Sequence, residues 1–169
     1  MNAEERRAKI IEVLEKTKKP IPGNELAKLF NVTRQIIVQD IAILRASGKD
    51  ILSTSSGYMI ESSQRLITKK VACRHSRKEL KEELMTFVEC GCKIVDVIVE
   101  HPIYGELHGI LMISNSKDVE NFLNNLEQKE AALLSELTGG VHLHTIEAIN
   151  EDAINKAKTI LKEKGILLE

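Results

Sequence analysis

The stretch TRQIIVQDIAILRASG, residues 33–48, decides the reading of the first half of the chain. Ile36, Ile37, Ile41 and Leu44 recur at helical spacing, so one face of a helix is apolar. Thr33 stands where a side-chain oxygen can cap the first turn, and Gly48 stands where the helix must stop after Ser47. Working back from Thr33, Asn31-Val32 makes a tight turn, and a short helix ends at Phe30 with Leu26, Ala27 and Phe30 inward, capped by Gly23 or Asn24. An earlier helix covers residues 4–16, with Ile10, Val13 and Leu14 as its apolar stripe, and Lys18-Lys19-Pro20 and Pro22-Gly23 end it. Working forward, residues 51–54 and 58–60 read as two short strands around a Ser55-Ser56-Gly57 turn. Helix, helix, tight turn, helix and hairpin is the order of a winged helix-turn-helix, a DNA-binding module.

In this frame the outward residues of the third helix are Arg34, Gln35, Val38, Gln39 and Arg45. Arg matches guanine and Gln matches adenine through paired hydrogen bonds in the major groove, while Thr33 can cap the helix and touch a phosphate. The wing tip, residues 53–56, carries no Lys or Arg, so Lys18, Lys19, Lys28 and Lys49 are the better candidates for backbone contacts. One recognition helix covers a half-site, which implies a homodimer on a palindromic double-stranded operator.

Charge supports a division of labour. Residues 1–65 hold 11 Lys and Arg against 8 Asp and Glu, and residues 66–169 hold 13 against 17, so a basic front precedes an acidic rear. Aromatic residues make up 3% of the chain, which argues against a base-stacking RNA platform. There is no apolar signal region or membrane-length apolar run, so a cytoplasmic location is expected, with Cys73, Cys90 and Cys92 as free thiols and no partner membrane. The polar run Glu61-Ser62-Ser63-Gln64-Arg65 reads as a linker, giving domains 1–61 and 66–169.

The second domain reads β-α-β-β-α-β-α: a strand at 66–73, a helix from Ser76 to about Cys90, strands at 93–99 and 105–113, a helix at 117–128 that extends toward Leu137, a Thr138-Gly139-Gly140 turn, a strand at 141–149 and a helix at 151–164. Ser76 and Glu79 form a capping box. The expected fold class is α+β, a mainly antiparallel sheet with helices on one face.

All five histidines, His75, His101, His108, His142 and His144, follow the linker. His142-Leu143-His144 puts two imidazoles on one face of a strand, where they can share one ion. His75, with a carboxylate from the helix after it, would complete a set suited to zinc, nickel or iron, a divalent transition metal. Glu83 lies eight residues after His75, roughly 12 Å along an ideal helix axis, so spacing leaves Glu79, Glu82 and Glu83 all open. His108 reads as a surface residue, and His101, before Pro102, reads equally as a pocket or a structural residue.

At this point the chain resembles a known family. Residues 6–60 resemble the winged helix-turn-helix of biotin-repressor type, on Arg34-Gln35-Ile36-Ile37-Val38-Gln39-Asp40-Ile41 and Gly57-Tyr58. Residues 66–169 resemble the three-histidine ligand-binding domain, on Arg74-His75-Ser76, on the run from His101 to Leu107, and on the run from Leu137 to Ile146. The combination is similar to the NiaR-type niacin-responsive repressors of NAD biosynthesis and niacin uptake genes. That resemblance implies a dimer, nicotinic acid as co-repressor, a second domain folded like the phosphocarrier HPr, and a metal held by His75, Glu83, His142 and His144. Nicotinic acid is a flat anion, so Arg74 or His101 could bind its carboxylate by a charge-assisted hydrogen bond. Three other readings compete: a regulator for which the metal itself is the signal, a purely structural metal clamp, and a metal-dependent hydrolase with Glu82 or Glu106 as base. The last lacks a second catalytic constellation, so no enzyme is expected.

Overall fold

The computed structural model describes residues 1–60 and 66–169; the expected linker at 61–65 lies outside the described residues. The chain divides into two compact units, Met1–Gln64 and Arg65–Glu169.

The first unit holds α1 (Ala3–Lys16), α2 (Gly23–Phe30), α3 (Arg34–Ala46) and a hairpin of β1 (Leu52–Thr54) and β2 (Gly57–Met59). Asn2 and Glu5 close a capping box at the start of α1, satisfying orphan backbone donors there. The cap of α2 differs from expectation: Pro22 takes the N-cap place, and its carbonyl accepts from Glu25 N and Leu26 N, so Gly23 and Asn24 fall inside the first turn. Asn31 closes α2 in the left-handed conformation (φ 53°), which an Asn tolerates. Ile10, Leu14, Leu26, Phe30, Ile37, Ile41 and Leu44 form one buried cluster with Ile51. Ile36 is only half-buried, and Asp40 is buried in its stead. Its carboxylate receives two hydrogen bonds from Arg6, at 2.6 and 3.2 Å, with Arg7 at 3.5 Å, so an ion pair joins α1 to α3 inside the core edge.

The hairpin turn is shorter than expected, because Gly57 belongs to β2. Ile21 exchanges backbone hydrogen bonds with Tyr58, an isolated antiparallel bridge beside the hairpin. Gly57 has φ +136°, and a Cβ there would lie 2.2 Å from the Ile21 carbonyl oxygen, so this approach needs glycine.

The second unit runs β3 (Ile67–Arg74), a 3₁₀ turn (Arg77–Glu79), α4 (Leu80–Glu89), β4 (Lys93–His101), β5 (Gly105–Ile113), α5 (Ser116–Gln128), a second 3₁₀ turn (Leu134–Thr138), β6 (Val141–Ala148) and α6 (Glu151–Glu163). The strands form one antiparallel sheet in the order β3-β6-β4-β5. The fold class is α+β, as expected. Leu80, Leu84 and Phe87 of α4, Val119 of α5, and Ile154, Ala157 and Leu161 of α6 share one buried cluster with Val71, Ile94, Ile113 and Ile146 of the sheet. The expected extension of α5 does not form. Glu130 turns left-handed (φ 48°), Ala131 N bonds back to Leu126 O, and the chain resumes as the second 3₁₀ turn, which takes in Thr138.

Candidate functional site

The sheet brings β6 between β3 and β4, and this places His142 and His144 at its centre on the face toward α4. His75 follows the end of β3, where Ser76 starts the 3₁₀ turn through its capping box with Glu79. The helix phase of α4 then selects one carboxylate. Glu79 is consumed by the cap, and Glu82 faces out to pair with Lys164 at 3.1 Å. Glu83 shares the inward stripe of Leu80, Leu84 and Phe87 and is fully buried. That stripe is the signal in the sequence that spacing from His75 alone does not supply: a lone carboxylate on an apolar helix face.

Three imidazoles converge on Glu83. His75 Nε2 lies 2.5 Å from Oε2; His142 Nε2 and His144 Nε2 lie 2.9 and 3.2 Å from Oε1. Each ring is oriented by its other nitrogen. Nδ1 sits 2.7 Å from Ser76 O in His75, 2.8 Å from Gly140 O in His142 and 2.7 Å from Asp96 O in His144. A carbonyl oxygen only accepts, so each Nδ1 carries the N–H, and a neutral ring then turns the Nε2 lone pair toward Glu83. His144 Nε2 is buried and, among the described residues, makes no hydrogen bond of proper geometry.

Three lone pairs facing a carboxylate repel one another unless positive charge lies between them. Protons on the rings can answer part of that demand. Burial pushes the His75 and His144 pKa values down, but the Glu83 carboxylate overrides it and both are raised. Burial pushes Glu83 up, and the surrounding histidines carry it well below the carboxylate range. The donor set fits a divalent metal: three imidazole nitrogens whose rings are held by carbonyl oxygens, one carboxylate, and almost no solvent. A cavity of about 30 Å³ adjoins the cluster, lined by Leu84, Val97, Phe122 and Leu134 among others, enough for about one or two waters.

Two residues outside the expected set support the site. Asp96 interrupts an apolar strand at a bulge, and its carboxylate accepts from Thr145 N and Oγ1 while its carbonyl orients His144. Cys73, directly opposite His142 in the β3–β6 register, lies with Glu83 and His142 in a group whose ligand atoms are all within 4.8 Å of one another.

The expected ligand-binding residues part company. Arg74 and His75 line an open cleft of about 510 Å³ together with Ser76, Arg77, Gly139 and Gly140. Arg77 is engaged with Glu136 at 3.3 Å. His101 lines neither cavity; it stands at the β4–β5 hairpin, where its Nδ1 accepts from Ile103 N and Tyr104 N. His108 pairs with Glu106 on the exposed part of β5.

In the first unit, Thr33 Oγ1 accepts from Ile36 N and caps α3. Arg34, Gln35, Val38 and Gln39 are exposed on its N-terminal half. Arg45 is also exposed, but its guanidinium donates to Ile51 O at 2.8 Å and Ser53 Oγ at 2.7 Å, so it ties α3 to the hairpin.

Comparison with known proteins finds a match for each half of the chain. An HTH domain model matches residues 6–59, and the 3H domain model matches residues 68–169. The chain is 45% identical over 166 residues to the probable transcription repressor NiaR of Thermotoga maritima, covering 98% of this chain and 95% of that protein. It is 40% identical over 172 residues to the transcription repressor NadR of Bacillus subtilis, covering 97% and 93%. No helix among the described residues is long and apolar enough to cross a membrane. With both domain models matched in order and two relatives aligned over nearly their whole length, the chain belongs to the NiaR and NadR family of transcription repressors, built from a helix-turn-helix domain and a 3H domain.

Proposed function

We propose that this protein is a cytoplasmic, homodimeric transcription repressor of NAD biosynthesis and niacin uptake genes, with nicotinic acid as co-repressor and a divalent metal in the 3H domain. The observation that carries the sensing half is the convergence of three imidazole Nε2 atoms, each with its Nδ1 hydrogen-bonded to a carbonyl, on the buried Glu83 carboxylate. His75, Glu83, His142 and His144 would hold the metal, which when bound supplies a positive centre for the ring nitrogen or carboxylate of an aromatic acid. Arg74, exposed in the adjoining cleft, offers a guanidinium to the same carboxylate. His101 sits at a hairpin that borders neither cavity, so we give it a structural role and leave the ligand to Arg74.

In the DNA-binding half, Arg34, Gln35, Val38 and Gln39 enter the major groove, Thr33 meets a phosphate from the cap of α3, and Arg45 holds the hairpin against α3. Ligand and operator are linked: whatever factor nicotinic acid adds to DNA affinity, DNA adds to nicotinic acid affinity.

The test is selection of operator-length duplexes from a random pool with and without nicotinic acid, at several metal concentrations. A palindrome enriched only with nicotinic acid supports the reading. Enrichment that follows the metal and ignores nicotinic acid overturns it in favour of a metal sensor.

A further inference from the structure

We propose that Cys73 supplies a sulfur donor to the metal centre, alongside His75, Glu83, His142 and His144. The inference rests on the metal reading above and extends it to the class of ion the site selects.

Cys73 and His142 are directly opposed on β3 and β6, so their side chains leave the sheet on the same face. The thiol is fully buried. Its Sγ, a Glu83 oxygen and a His142 nitrogen are all within 4.8 Å of one another. A sulfur at about 2.3 Å and a nitrogen or oxygen at about 2.0 Å from one ion stand roughly 3.5 Å apart at a tetrahedral angle and roughly 4.3 Å at most, so an adjustment of up to about 1 Å joins the sulfur to the set. A second feature points independently to an ion at the same place: the buried His144 Nε2 has no hydrogen-bond partner among the described residues and lies 3.2 Å from Glu83 Oε1. Val71, two residues earlier on the same strand face, is an aliphatic core residue. At position 73 an equally buried site carries sulfur and adjoins the polar cluster instead.

As the metal–sulfur bond forms, the thiol S–H bond breaks and its proton passes to solvent. Sulfur added to three imidazoles and one carboxylate biases the site toward zinc, cobalt, nickel or copper and away from manganese or magnesium.

X-ray absorption of the full-length protein loaded with zinc tests this. The expected result is one sulfur scatterer at about 2.3 Å beside nitrogen and oxygen scatterers at about 2.0 to 2.2 Å. The cobalt-loaded protein should show a near-ultraviolet sulfur-to-metal charge-transfer band. Cys73→Ser, with Cys73→Ala as a second variant should it misfold, is expected to keep the metal and lose both signatures. Cys90→Ser, at a half-buried position, is expected to keep them. A bound metal surrounded only by nitrogen and oxygen in the unaltered protein overturns the sulfur donor and leaves the three-histidine site standing. Signatures that survive both Cys73 variants overturn it as well. A protein that retains neither zinc nor cobalt overturns both readings.

Discussion

Gly140 lies so close to His75 that a Cβ on it would sit 2.4 Å from the His75 carbonyl oxygen. Its φ of +94° is also in the region that side chains avoid. The same glycine accepts a hydrogen bond from His142 Nδ1 at 2.8 Å and one from His75 N at 3.4 Å. One backbone unit thus orients the His142 imidazole and anchors the backbone that carries the His75 imidazole, and it can do so only without a side chain.

Gly140→Ala is therefore expected to weaken metal binding about 10- to 100-fold without deleting any ligand, the usual cost of disturbing a group that orients a ligating imidazole. Metal titration of the purified variant measures this. An affinity equal to that of the unaltered protein would show that Gly140 does not position the rings.

Glu83 and Glu82 are neighbours with opposite fates. Glu83→Gln removes the negative charge that three buried imidazoles face, and zinc binding should fall at least about 10-fold. Glu82→Gln loses an exposed pair with Lys164, worth about 0 to 1 kcal/mol, and should bind zinc as before. Equal losses in the two variants would contradict the assignment of Glu83.

Asp40 is held by Arg6 through two hydrogen bonds at the boundary of α1 and α3. Asp40→Ala leaves the Arg6 guanidinium without its partner, and should lower the unfolding midpoint of the first unit. Thermal or denaturant unfolding of the full chain checks this, and an unchanged midpoint would place Asp40 among ordinary surface pairs.

Val38 is 44% exposed amid the polar residues Arg34, Gln35 and Gln39 on α3. An apolar side chain at that place in a major groove contacts a thymine methyl group. Replacing single thymines by deoxyuridine across a selected operator should, at one position per half-site, weaken binding about 5-fold or more, and Val38→Ala should abolish that sensitivity. If every thymine can be replaced without effect, Val38 faces no methyl group.

Local chemistry determined the elements from the sequence alone. The helical spacing of Ile37, Ile41 and Leu44, the Thr33 cap, the Ser76–Glu79 box and the Gly165 stop are interactions among residues a few positions apart, and the structure follows them to within a residue or two. The order of the two domains and the shared face of His142 and His144 were equally legible, because strand alternation is a local rule. What required the tertiary structure was every choice among equivalents. The Leu80, Leu84 and Phe87 stripe marks Glu83 in the sequence, but that this face of α4 packs over the histidines, away from Glu79 and Glu82, depended on the fold. The entry of Cys73 and Asp96 into the neighbourhood of the histidines depended on β6 pairing with both β3 and β4. The engagement of Arg45 with the hairpin, and the end of α5 at Gln128, depended on what lay across from them. Periodicity tells a side chain which way to face, but only the packed fold supplies what it meets there.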